Sequence, residues 1–197
     1  LAHEGAVGTE KYKNEFGDPG TEIFFPAHPQ SPRLETNAGE RSVRFRPDQY
    51  ELEMTSSHSQ FGHTFDAWGH HLQVENWNHI YQEVIGETYL KRNRDLLVSD
   101  ATQPLPDHAQ AAEVFPITQN PQHQLLTDVG YMTSACGITA YLGGAFPDPF
   151  NEVVFVAEPV SNLVHADQLK DKGASFTASR LQPYKEFLAS TDARFRP

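Results

Sequence analysis

Five histidines fall within a short span of the chain, His58, His63, His70, His71 and His79, beside Glu75, Asn76 and Asn78. Imidazoles next to carboxylates and amides are the raw material of a metal site or of a general base working near neutral pH. The same residues also serve as polar groups satisfied by turns, and spacing leaves both readings open. Residues two apart on a strand share a face, so His63 would point the same way as Phe65, and only a few of these rings can converge. His79 with Asn76 is the pair best placed for chemistry, because it follows a strand end, where loops build sites. Glu158 closes an apolar run at 153–156 just before Pro159. A carboxylate there is either buried with a raised pKa or merely solvated. His108 and Glu113 flank a Pro-rich loop and read more as loop anchors than as ligand contacts. Trp68 and Trp77 read as packing residues. Cys136 has no base in its local pattern and reads as a small core residue rather than a nucleophile.

The elements that must position these groups are short. Residues 1–40 are rich in Gly, Pro, Asn and charge, and Gly17-Asp18-Pro19-Gly20 is turn chemistry. That segment reads as a long N-terminal loop, with one edge strand at Ile23-Phe24-Phe25. From Arg41 onward Val43, Phe45, Tyr50, Leu52 and Met54 alternate with charged residues around Arg46-Pro47-Asp48-Gln49, the pattern of two antiparallel strands. A second hairpin is expected through Ala67-Trp68-Gly69-His70. Residues 80–90 fit one helical turn. Runs at 96–98, 112–117 and 125–126 read as short strands and loops. Three further strands are expected between 137 and 169, and an approach to another at 187–191. Strand after strand, with no long amphipathic helix, predicts an all-β chain.

Bulk properties narrow the partners. The 197 residues carry 15 Lys+Arg against 26 Asp+Glu, a formal net charge of -11. Binding duplex nucleic acid needs clustered positive charge, so that partner is excluded. No window approaches the 18 apolar residues of a spanning helix. The opening residues have no signal-peptide pattern and no initiator Met, as expected of a processed form or an excised piece. The single Cys136 excludes an internal disulfide, a Cys-x-x-Cys-His haem site and any Cys-based zinc site.

Several segments resemble a known family. Residues 43–48, 51–53 and 61–69 are similar to a propeller phrase of the glucose/sorbosone dehydrogenases, "strand, Pro-Asp-Gly, strand, Arg-Asn-Pro-x-Gly, strand, Asp-x-x-Gly". Gly137-Ile138-Thr139-Ala140-Tyr141-Leu142-Gly143-Gly144-Ala145-Phe146-Pro147 resembles that family's "Ser-Gly-x-x-x-Tyr-x-Gly-x-x-Phe-Pro" blade. Arg194-Phe195-Arg196 resembles its Arg-x-Arg. The wording is closer still to the putative membrane-bound dehydrogenases of Planctomycetes, Verrucomicrobia and Bacteroidetes, at Ala111-Ala112-Glu113-Val114-Phe115-Pro116-Ile117, at 157–165 and at 187–192.

The resemblance implies a partial β-propeller, several blades of a six-bladed ring, with residues 1–40 as a loop or insertion and 41–197 as an incomplete propeller. It implies a quinoprotein-like dehydrogenase that oxidises a sugar or polyol and passes electrons to a c-type cytochrome domain. The alternative is a non-catalytic propeller binding carbohydrate or a protein partner. Pyrroloquinoline quinone and calcium are the implied cofactors, with no haem site in this chain. The implied location is periplasmic or extracellular, with the rest of the polypeptide or another chain completing the ring. Carried over by position, the family's Arg-Asn falls on His58 and Ser59, its Lys on Leu142, and its Arg-x-Arg on Arg194 and Arg196. With the pair above, the expected catalytic residues are His58, His79 and Glu158, and the expected cofactor contacts are Ser59, Asn76, Arg194 and Arg196.

Overall fold

The structure is a computed structural model that describes residues 8–13, 19–37, 41–93, 95–105, 107, 112–118, 130–192 and 194–197. The expected all-β character holds. The described residues form antiparallel sheets and one short helix. They divide into two compact units, residues 1–58 with 85–97, and residues 59–84 with 98–197. No helix among the described residues is long and apolar enough to cross a membrane.

In the first unit, β1 (Gly8–Lys13), β2 (Pro19–Phe24) and β3 (Leu34–Asn37) form a meander. The single edge strand expected within a long loop is therefore part of a three-stranded sheet. Pro19 and Gly20, expected in a turn, instead open β2, while Pro26 and Pro29 lie in the turns between β2 and β3, and Ile23 pairs with Leu34 across the ladder. Next, β4 (Val43–Arg46) and β5 (Glu51–Met54) make the expected hairpin. Cross-strand partners Arg44 and Glu53 form an ion pair at 2.6 Å, the arrangement that favours this register. The helical turn expected within 80–90 splits in two. Its start is strand, in the second unit, while α1 (Glu87–Leu90) holds the one turn of helix.

The second unit contains two sheets. One is β6 (His63–Phe65), β7 (His71–Gln73), β8 (Tyr81–Glu83) and β9 (Thr102–Pro104), in that order. The other is β10 (Cys136–Ala140), β11 (Val153–Glu158), β12 (Leu163–Lys172) and β13 (Ser175–Arg180), with β14 (Leu188–Ala189) on the first residues of β12. Leu72, Val74, Ile80 and Leu105 from the first meet Ile138, Val154, Val156 and Leu163 from the second in one apolar core. Thr64 Oγ1 accepts from Ala140 N at 3.1 Å, and Phe61 O accepts from Gly137 N at 3.1 Å, so the edges β6 and β10 are tied together.

Two details of the expected pattern differ. Residues 96–98 are not strand, and Leu97 is 95 % exposed. No partner strand is offered there, so an apolar pair next to charge does not make a ladder. Around 112–117 there is only an isolated bridge, Glu113 to Tyr131. The run at 125–126 lies outside the described residues, as does His108.

Candidate functional site

Register places the site. Val156 faces His165 across the β11–β12 ladder, Val154 faces Asp167, and Asp167 faces Arg180 on β13. Directly paired residues share a face, so His165, Asp167 and Arg180 stand on the same side as the core valines. Three ionisable groups thus occupy positions where the hydrophobic face continues. Two loops meet them. Ile80 O accepts from Leu105 N at 2.8 Å, which brings His79, just before Ile80, alongside Asp107, just after Leu105.

The result is a buried constellation. The side chains of His79, His165 and Asp167 are 0 % exposed, and that of Asp107 is 3 %. His79 Nε2 donates to Asp167 Oδ2 at 3.1 Å and lies 3.7 Å from Asp107 Oδ1. His165 Nε2 lies 3.2 Å from Asp167 Oδ1 and 4.0 Å from Asp107 Oδ2. The two rings are 5.2 Å apart and nearly perpendicular. On the other side of its ring His165 Nδ1 donates to Glu186 Oε2 at 2.7 Å. Glu186 is in turn held by Arg180 Nη1 at 2.6 Å and by Phe115 N at 2.9 Å. Arg180 also donates to the carbonyl of Glu113 and lies 3.4 Å from Asp107.

Electrostatics follow from this packing. Burial alone would push the His165 imidazolium down. The carboxylates of Asp167 and Glu186, close on either side of its ring, outweigh burial and raise it to about 9. Burial likewise favours protonated Asp167, but His165 and His79 reverse that and hold its carboxyl well below the usual range. Glu186 is depressed in the same way, with burial opposed by His165 and Arg180. Removing one member of such a set leaves a charge stranded in the interior, at a cost of roughly 3–5 kcal/mol. An open cleft of about 360 Å³ reaches the set from solvent between Asp107, Phe115, Arg180 and Tyr184.

Of the sequence-predicted residues, His79 alone joins this set. Its partners are the Asp167 and Asp107 carboxylates. Asn76, expected beside it, works through its backbone instead, with N donating to Gln60 Oε1 and O accepting from Ala135 N. His58 lies in the first unit. Ser59 Oγ is directed to the carbonyl of Gly62. Glu158 is fully buried and accepts from the amides of Thr133, Ser134 and Val160 at 2.8–3.0 Å. Burial pushes its carboxyl up against the pull of those amides. Arg194 is 92 % exposed and pairs with Asp192, and Arg196 donates to the carbonyl of Pro159.

The implied quinone can be tested against these positions. Ser59, Arg194 and Arg196 each satisfy a local turn or carbonyl, and Leu142 is an exposed apolar side chain where a cation was expected. They do not present a shared cradle for a planar polyanion. Calcium takes oxygen ligands, which the two imidazoles at the centre do not provide.

The other histidines form separate contacts. His70 Nδ1 bonds Asp66 at 2.6 Å, and His71 bridges Glu83 at 3.0 Å and His63 at 3.2 Å. Trp68 and Trp77 are not packed between elements, being 88 % and 66 % exposed. Trp68 instead borders a second cleft of about 440 Å³ with Asp66, Tyr141, Asn151, Glu152 and Asp171. Cys136 is half-buried, and burial, with Glu158 nearby, pushes its thiol up, as suits an inert core position.

Sequence reasoning passed over Asp107, His165, Asp167, Arg180 and Glu186. One signal was available. His165 and Asp167 stand two apart in a strand, in step with the buried Leu163, so both fall on the face that should be apolar.

A family model, Domain of unknown function (DUF7133), matches residues 16–197. The chain belongs to that family. No curated protein and no solved structure matches it.

Proposed function

We propose that this DUF7133 domain is part of a propeller-type dehydrogenase acting on a sugar or polyol hydroxyl, with the buried His79–Asp167–His165 chain and Asp107 as its reaction centre. The observation that carries the reading is the concentration of carboxylate and imidazole groups on a core face, with one of them, Asp107, lining an open cleft. A set of ionised groups in that position costs desolvation, and such costs are commonly met at functional sites. The antiparallel sheets and the family resemblance support a propeller. Oxidising a hydroxyl removes one proton and one hydride. Asp107, nearest the cleft, takes the proton, and the His–Asp–His chain behind it stabilises the resulting change of charge. The hydride's two electrons would have to pass to an organic two-electron acceptor supplied by another part of the polypeptide or by a partner chain, from which the cytochrome is reduced. Export to the periplasm or extracellular space, completion of the ring by another segment or chain, and a cytochrome partner follow from the same resemblance.

Dye-linked oxidation across a panel of aldoses and polyols tests this reading. Substrate-dependent reduction is expected, falling at least 100-fold in Asp107→Asn with the fold retained by circular dichroism. A chain that reduces no dye with any member of the panel overturns it.

The second reading is a carbohydrate-binding propeller without catalysis, favoured by one observation. Trp68 stands almost fully exposed over a cleft carrying both aromatic and acidic groups. An apolar ring face with polar groups at the margin is how a sugar is held.

A further inference from the structure

We propose that His79, Asp107, His165 and Asp167 together bind one divalent d-block cation of the zinc, manganese or iron(II) class. The four residues offer one ligand atom each, all within 4.8 Å of one another. The ion's role in oxidation rests on the reaction-centre reading above, whereas its binding rests on the geometry.

The spacing fits. Ligand atoms at about 2.1 Å from one metal, in tetrahedral or octahedral arrangement, lie about 3.0–3.4 Å apart. Each imidazole has one Asp167 oxygen at that spacing, His79 Nε2 at 3.1 Å from Oδ2 and His165 Nε2 at 3.2 Å from Oδ1, so a shared ion would be held by both oxygens of this carboxylate or by one after a small rotation. Asp107 stands further out, at 3.7 Å and 4.0 Å from the two imidazoles. It is the loosest of the four and the one that borders the cleft, so it is the ligand a substrate oxygen would displace.

A second observation points to the same centre. His165 Nε2 and Asp167 Oδ1 are fully buried and 3.2 Å apart, close enough to attract as charges yet not aligned as a hydrogen bond, and neither has a hydrogen-bond partner among the described residues. Two donor atoms held close without facing each other are arranged for a common third atom. Meanwhile Glu186 takes the Nδ1 proton of His165 at 2.7 Å, which commits Nε2 to the interior. A carboxylate on the far nitrogen of a ligating imidazole is the usual orienting partner in metal sites. Arg180 anchors that carboxylate at 2.6 Å.

Charge agrees with the geometry. Asp107, Asp167 and Glu186 face a single fixed cation, Arg180, among the described residues of the set. With neutral imidazoles two negative charges remain, which one divalent ion cancels. Binding would release the proton that His79 Nε2 now directs at Asp167. Mixed nitrogen and carboxylate donors select zinc, manganese or iron(II) over calcium.

The test uses the whole chain. After stripping with chelator, equilibrium dialysis against zinc, manganese, anaerobic iron(II) or calcium is followed by elemental analysis. Cobalt(II) loading is read by its visible absorption. About one equivalent of a d-block ion per chain is expected, with no stoichiometric calcium. Asp167→Asn and His79→Gln, each checked for fold by circular dichroism, should lose at least 10-fold in affinity and alter the cobalt spectrum. His71→Gln, in the separate histidine pair, should change neither. Binding below a tenth of an equivalent overturns the proposal, as does binding unaffected by both cluster variants. If dye-linked oxidation persists without metal, the ion's role in oxidation falls and the reaction-centre reading stands. If metal binds and no substrate is oxidised, the binding site stands and the reaction-centre reading falls.

Discussion

His165 Nδ1 lies 2.7 Å from Glu186 Oε2, and that contact decides which ring nitrogen faces the cluster. Glu186 reaches it from the turn before β14, on the edge of β12 where His165 itself sits. Replacing the carboxylate by an amide keeps the shape and removes the charge. Glu186→Gln is therefore expected to lower folding stability by about 1–3 kcal/mol, read from urea unfolding. It should also weaken cation binding about 10- to 100-fold. Lost stability with unchanged cation affinity would limit Glu186 to holding Arg180 and Phe115.

Glu158 was a candidate acid, and its surroundings give it a different task. It is fully buried and gathers the amides of Thr133, Ser134 and Val160. It thus ties the loop before β10 to the turn after β11. Glu158→Ala strands those donors away from water, and a loss of about 2–5 kcal/mol is expected. Glu158→Gln keeps one acceptor oxygen and should fall between. Unfolding midpoints for the three proteins check the order, and an alanine variant within ~0.5 kcal/mol of the parent would remove the anchoring role.

The strands that alternate cleanly were legible. The β4–β5 and β6–β7 hairpins follow from period-two patterning around their turns, and β10, β11 and β12 from short apolar runs separated by Gly and Pro. The N-terminal sheet was less so, because β2 and β3 mix Thr, Glu and Asn with few apolar residues. The cluster was mostly illegible. His79 stood out by its loop position, but its partners lie 28, 86 and 88 residues away in sequence numbering, at Asp107, His165 and Asp167. Only the sheet register brings those together, and a single sequence does not print register. His58 and the Arg194/Arg196 pair were suggested by resemblance, which carries positions but not the local turns that satisfy them here.

The β6–β7 turn predicts an acid-sensitive contribution. Asp66 accepts from Trp68 N at 2.9 Å, His70 N at 2.8 Å and His70 Nδ1 at 2.6 Å. Partial burial pushes its carboxyl up, and these bonds more than reverse that, holding it below the usual range for an aspartate. A depressed carboxyl stabilises the fold above its unfolded pKa and loses that contribution as pH falls through the folded value. Solvent screening at this edge keeps the effect to about 1 kcal/mol or less. Urea midpoints at pH 6 and pH 2.5, compared between parent and Asp66→Asn, should therefore differ more at the higher pH. An equal gap at both would assign the turn's stability to its backbone alone.

Trp68 separates the catalytic reading from the binding one. Its indole is 88 % exposed, on a turn where Gly69 takes a φ of +86° that L side chains rarely adopt. The turn fixes the ring over the cleft shared with Tyr141 and Asn151. An indole in that setting contributes little to folding, so Trp68→Ala should change stability by no more than ~0.5 kcal/mol. If the ring is a sugar platform, the loss appears in binding instead. In a Trp77→Phe background, Trp68 is the only remaining indole, and its fluorescence should respond to saturating mono- or oligosaccharide. Calorimetry on the Trp68→Ala chain should then show affinity reduced at least 10-fold, the effect of about 1.4 kcal/mol. Sugar binding of undiminished strength in that variant would take the platform away, and would leave the cleft above Asp107 as the place where carbohydrate meets this domain.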